Sequence, residues 1–254
     1  MEPFALVALV VATFLLAGLV KGVVGMGLPP VAIGIMALAM PPAQAAALVL
    51  VPAFVTNIWQ MMSGERLITV VKRLWTLQLG ICIGAWLCGD ILTTQTSKIP
   101  SLLLGLMLML YAVYGAASAT PRMPARYEPY LSPIVGLMTG AIMAATGLMA
   151  IPLVPYLQAI NLEKENLLQA LGLSFFISAV ALGTVLTSAN IFRGDTALMS
   201  AFALLPAAVG MAVGRRYVSR ISAATFKRWF LIAMFLIGCA SAIQALRSAQ
   251  PVLN

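Results

Sequence analysis

Lys21 is the single charge in an apolar run from residue 4 to residue 38, and Gly25, Gly27, Pro29 and Pro30 follow it within a few positions. Proline removes a backbone donor and clashes with the preceding turn, and glycine weakens a helix entropically. A straight helix is therefore not expected across residues 25–30. In hydrocarbon, freed N–H and C=O groups have no water to pair with. Broken backbone survives there only when protein buries it or when it lines a polar cavity. A cation beside such a break is the pattern of a transporter site built from half-helices. Inserting a lysine into the bilayer centre costs about 2.5–3.5 kcal/mol. Snorkelling to a nearby interface is the competing use of Lys21; holding an anion is the use we favour.

Other polar side chains suit the same chemistry. Thr56, Asn57 and Gln60 lie in the next apolar run, with Asn57 and Gln60 three apart and so on one helix face. Two amides there suit an oxyanion. Gly25, Gly27 and, in a second glycine–proline stretch, Gly147 would bring backbone N–H groups to an anion at half-helix N-termini. Thr146 sits inside that second break, where it can serve substrate or freed backbone. Ser174 and Ser178 lie on a later helix, where interhelical glue or a bond to the preceding turn competes with substrate contact. Asp90 falls near a helix end. Carboxylates are otherwise missing from the apolar interior, so proton coupling through a central acid is not supported.

Composition sets the class. Of 254 residues, 62% are hydrophobic and 9% charged, where a soluble domain carries about 25% charged. We expect an all-α polytopic membrane protein, since a transmembrane barrel would alternate instead of running apolar for whole spans. The net charge of +8 is attributed to basic cytoplasmic loops, not to nucleic acid. The expected partners are a lipid bilayer and a small anionic substrate; a homo-oligomer is left open. With no histidine in the chain, neither a metal site nor a cofactor is expected. An intramembrane protease needs a Ser–His pair, an Asp pair or a zinc motif. Gly172-Leu173-Ser174-Phe175 lacks the second glycine of a nucleophile elbow, so no enzyme is expected. Cys82, Cys88 and Cys239 read as packing residues.

These residues need a frame. Residues 4–40 would make roughly 55 Å of helix, too long for one crossing of about 30 Å, so two pieces are expected, 4–24 and 30–40. Whether they form a re-entrant hairpin or two crossings is open. Helices follow over about 43–62, from Lys72-Arg73 to 92 with Gly80-x-x-x-Gly84, and over 102–118. Residues 120–129 form a linker. The pattern then recurs. Gly136-Leu137-Met138-Thr139-Gly140 echoes Gly18-Leu19-Val20-Lys21-Gly22, and residues 146–155 echo 26–30. A short piece ends at Ile160, and helices follow at about 167–186, 197–213 (with Gly210-x-x-x-Gly214) and 229–246. Ser178 stands where Asn57 stood. We read residues 1–120 and 131–254 as two repeats joined by a cytoplasmic linker, 121–130. Arg215, Arg216, Arg220, Lys227 and Arg228 make the late loop heavy, while its counterpart 93–100 has only Lys98. Residues 63–73 carry three basic side chains, while their counterpart around 188–196 is neutral. Heavy and light loops swap, as inverted repeats require, with the termini outside.

The broken glycine–proline segment, the Asn57-x-x-Gln60 pair and the second glycine-rich segment together resemble the sulfite exporter TauE/SafE family, also called the 4-toluene sulfonate uptake permease family. The resemblance covers nearly the whole chain. It implies a multi-pass transporter of the bacterial inner membrane that moves sulfite, sulfonates or similar anions by alternating access around a midplane site. An anion channel or an accessory membrane subunit is the alternative.

Overall fold

The computed structural model describes residues 3–94, 98–117, 122–217 and 223–247. Every regular element among them is helical. In chain order these are α1 (Pro3–Val24), α2 (Leu28–Met36), α3 (Pro42–Met62), α4 (Leu67–Leu87), α5 (Gly89–Thr93), α6 (Ile99–Ala116), α7 (Glu128–Thr146), α8 (Leu153–Ala159), α9 (Lys164–Ser188), α10 (Gly194–Tyr217) and α11 (Ala223–Arg247). Eight of them are long and apolar enough to cross a membrane. Several helices overrun the apolar windows. α4 opens at Leu67, not at Lys72, and α11 opens at Ala223, ahead of Trp229. Loss of apolar character marks where hydrocarbon ends, and a helix without a breaker continues past it. α7 likewise starts at Glu128, inside the stretch expected to be linker. α4 stops earlier than expected, and residues 89–93 form the separate short α5.

Both expected breaks are present. α1 runs past Lys21 and ends at Val24. Gly25 and Gly27 then take positive φ, 83° and 108°, values that a side chain with a Cβ resists. α2 starts at once, with Pro29 and Pro30 in its first turn, where a missing N–H costs no helical bond. Its 9 residues span about 14 Å, under half of a hydrocarbon core of about 30 Å. In the second half Gly147 ends α7 at φ 79°, and α8 has 7 residues. The two breaks meet. A Cβ on Gly147 would lie 3.2 Å from Ile33 of α2. Pro30, Leu148, Ala150 and Ile151 share one void of about 10 Å³.

Small-residue stripes set the long-range packing. A Cβ on Gly18 would collide with the Ala207 carbonyl, and one on Gly22 with that of Met211; Gly210 and Gly214 abut the carbonyls of Leu15 and Leu19. The register advances together, so α1 and α10 run the same way. In a second seam Gly80 and Gly84 of α4 meet Pro133 and Leu137 of α7, while Gly136 and Gly140 meet Leu77 and Ile81. That pair is also co-directional. By contrast α6 and α11 run oppositely, with Gly105 against Gly238 and Gly115 against Leu231. So do α3 and α9, where Gly172 meets Met61 and Gly183 meets Leu50.

Backbones this close leave no room for a side chain. Gly84→Leu is expected to cost about 1–3 kcal/mol by overpacking and to lower the melting temperature of the detergent-solubilised protein. Gly194→Ala, which faces open space, should leave it unchanged.

Candidate functional site

Lys21 is 6% exposed, and its ammonium points to α3, not to an interface. Nζ donates to Thr56 Oγ1 at 3.0 Å and also to Asn57 Oδ1. An ammonium has three N–H donors, so one remains. Among the described residues no carboxylate forms an ion pair with it; the ion pairs found are Arg66–Glu163 and Arg73–Glu128. Asn57, 1% exposed, turns its amide oxygen to Lys21, and its Nδ2 has no partner among the described residues. Thr56 spends its own proton on the Pro52 carbonyl at 2.7 Å, which fixes its lone pairs toward Lys21. A buried cation, its leftover N–H and an unspent amide therefore converge where no counter-charge sits.

Pro52 shapes this stretch of α3. A proline inside a helix leaves the carbonyl four residues earlier without its usual donor, here that of Leu48. Ser200 of α10 repairs the gap. Its hydroxyl donates to Leu48 O at 2.8 Å and accepts from Val51 N at 3.1 Å. The pairing ties α3 to α10, the helix that also packs on α1, so both elements carrying the Lys21 site share one support.

The other expected site residues divide. Gln60 donates to Leu168 O at 3.1 Å, and a Cβ on Gly25 would lie 3.6 Å from the Leu168 side chain, so both adjoin α9. The N–H of Gly25 goes to Lys21 O and that of Gly147 to Met143 O. Neither is offered to a ligand, because each glycine completes the last turn of the preceding helix before the chain bends. Gly27 lies against Val20 and Phe230. Thr146 serves freed backbone: its hydroxyl donates to Ile142 O and accepts from Leu148 N. Ser174 accepts from Gln78 Nε2 at 2.8 Å, glue between α9 and α4. The Ser178 hydroxyl has no partner among the described residues, so neither the interhelical glue nor the back-bond that competed with substrate contact is formed.

Four features were not anticipated. The hydroxyl of Thr139, fully buried on α7, lacks a partner. The repeat pattern pointed to it, since Thr139 occupies the place of Lys21 in the echoed motif. Gln78 is buried with its Oε1 unpartnered; a polar residue two before Gly80 was the available signal. Arg73 grips Glu128 with two bonds of 2.7 and 2.8 Å and reaches the Ile160 carbonyl at 3.1 Å. That fastens the end of α8 to α4 and α7, a pairing of residues 55 apart that no local pattern shows. Arg215, read from sequence only as a topology signal, lays its guanidinium over the Trp59 ring at 4.1 Å. Arg220 lies outside the described residues.

A family model described as sulfite exporter TauE/SafE matches residues 10–241. The chain belongs to this family. No curated protein and no solved structure matches it. Membership and eight apolar helices together describe a multi-pass membrane transporter, and the family implies export of sulfite or related sulfur compounds and not an enzymatic activity.

The Ser200 repair is open to test by a double-mutant cycle on thermal stability. Ser200→Ala should cost about 1–3 kcal/mol, because it orphans the Leu48 carbonyl. In a Pro52→Ala background the restored N–H supplies that carbonyl, so the same substitution should cost clearly less.

Proposed function

We propose that the protein is a secondary transporter that exports small sulfur-containing or organic anions, such as sulfite or sulfonates, across the bacterial inner membrane. The observation that carries the proposal is the Lys21–Asn57 pair. A buried ammonium with neutral hydrogen-bond partners and no carboxylate beside it is compensated poorly. An oxyanion arriving there would supply the missing charge and take up both the third Lys21 N–H and the free Asn57 Nδ2. Thr56 positions the lysine. Gly25, Gly27 and Gly147 act by bending the chain, and Gln60 by anchoring α3 to α9. Thr139 and Ser178 offer further unspent hydroxyls in the other half.

Alternating access follows from the arrangement of the halves. We read residues 1–120 and 131–254 as inverted repeats joined by a cytoplasmic linker. Helix directions support this. α1 and α10 are co-directional, as are α4 and α7, whereas α3 opposes α9 and α6 opposes α11. Exchanging the halves, α1 for α7, α3 for α9, α4 for α10 and α6 for α11, maps α1–α10 onto α4–α7 and maps α3–α9 and α6–α11 onto themselves, so exchanged helices that touch run oppositely. A site between two units, each built from helices of both repeats, can face either side as one unit rocks against the other. Burial of Lys21 and Asn57 favours a carrier over an open channel.

Lys21→Ala and Asn57→Ala should each abolish saturable sulfite flux in proteoliposomes while leaving membrane insertion and monodispersity intact. Ser174→Ala should keep most of the flux. Wild-type rates in both site variants would remove the assignment. Unsaturable, voltage-dependent current would replace the carrier by a channel.

A further inference from the structure

We propose that a second anion site, a vestibule for small sulfur oxyanions, occupies the cavity of about 270 Å³ at the far end of α2. This rests on the transport reading above and adds a station to the route. The cavity is walled by residues 37–42 after α2, by Lys98 and Ser101 at the start of α6, and by Ser241 of α11. No carboxylate is among its lining residues, and the chain has no acidic residue after Asp195.

Three features make it an anion site. Lys98 is the N-cap residue of α6, exposed, with neither an ion pair nor a side-chain hydrogen bond among the described residues. α6 has 18 residues, so its N-terminus carries a substantial partial positive charge, and the N–H of Ser101 lies in the first turn, where helical donors go unpaired. Independently, Ser241 is 3% exposed, lines the cavity, and its hydroxyl has no partner. Buried hydroxyls are hydrogen-bonded as a rule; an orphan one on a residue that lines the same cavity as Lys98 fits a ligand that accepts several hydrogen bonds. A sulfur oxyanion does so, with oxygens enough for the ammonium, the Ser101 N–H and the Ser241 hydroxyl together.

The position fits a route. α2 joins the two sites: its first residue follows Gly27, next to the Lys21 break, and the residues that directly follow its last turn wall the cavity. Under the loop-charge assignment residues 93–100 lie outside, so the vestibule stands on the release side of an exporter. A weak second site there would draw the anion off Lys21.

Equilibrium binding of isotopically labelled sulfite to the purified full-length protein tests this apart from flux. Lys21→Ala protein should still bind sulfite at the vestibule. Adding Lys98→Gln and Ser241→Ala should weaken that binding roughly tenfold or more, as loss of a charge-assisted hydrogen bond implies. Lys98→Arg in place of Lys98→Gln should retain it. The proposal is overturned if Lys21→Ala protein binds no sulfite, or if the two added substitutions leave its binding unchanged. The transport reading is judged separately by flux through the wild-type protein, and absent flux there would remove that reading while the binding result still decides the vestibule.

Discussion

An ammonium held out of water must be compensated, and the arrangement around Lys21 compensates it only in part. Thr56 and the Asn57 carbonyl provide dipoles, not charge. Burying an uncompensated ion costs several kcal/mol after relaxation, and the proposed anion would offset that cost. Much of the rest of the molecule holds those three side chains in place. Thr56 is turned by the Pro52 carbonyl, Pro52 is tolerated because Ser200 repairs the helix, and Ser200 belongs to the helix packed on α1. The proline that looks like a defect in α3 thus links the site to its scaffold.

The breaks do different work from the one their glycines first suggest. Half-helix N-termini are attractive anion sites because their N–H groups are unpaired. Here Pro29 and Pro30 remove two of those donors from α2, and the N–H groups of Gly25 and Gly147 close the preceding helices. What the breaks supply is a change of direction at depth. They bring α2 against the Gly147 bend and leave α2 and α8 as short half-helices. The positive charge is left to the Lys21 side chain, and the polar contacts to side chains of α3.

The proposed rocking would need tight seams within each moving unit and yielding ones between units. The glycine seams α1–α10 and α4–α7 bring backbone against backbone, a geometry that membrane helices use where no hydrophobic force drives association. Each seam takes one helix from before residue 120 and one from after it, so the proposed rocking units would draw on both stretches of the chain. At the end of α8 the Arg73–Glu128 pair with the Ile160 carbonyl makes a fixed contact, while the end of α2 borders an open cavity. The two half-helices are thus fastened unequally.

The sequence by itself determined the class, the two breaks and the helix order, and it singled out Lys21 and Asn57, which the fold buries side by side. Each of these follows from a local conflict, such as a charge or a proline in an apolar run, that hydrocarbon makes costly. The paired Gly-x-x-x-Gly spacings announced close packing without naming partners. Only the tertiary structure decided which helices pair and in which direction, that Ser200 answers Pro52, that Arg73 reaches Glu128, and that Thr146 and the N–H groups of Gly25 and Gly147 serve backbone. The same fold leaves Ser178, Thr139 and the Asn57 amide with unspent hydrogen-bonding capacity. A hydrogen-bond partner is chosen by proximity after folding. Residues far apart in the chain, as Leu48 and Ser200 are, leave no mark on each other in the sequence that a single chain can show.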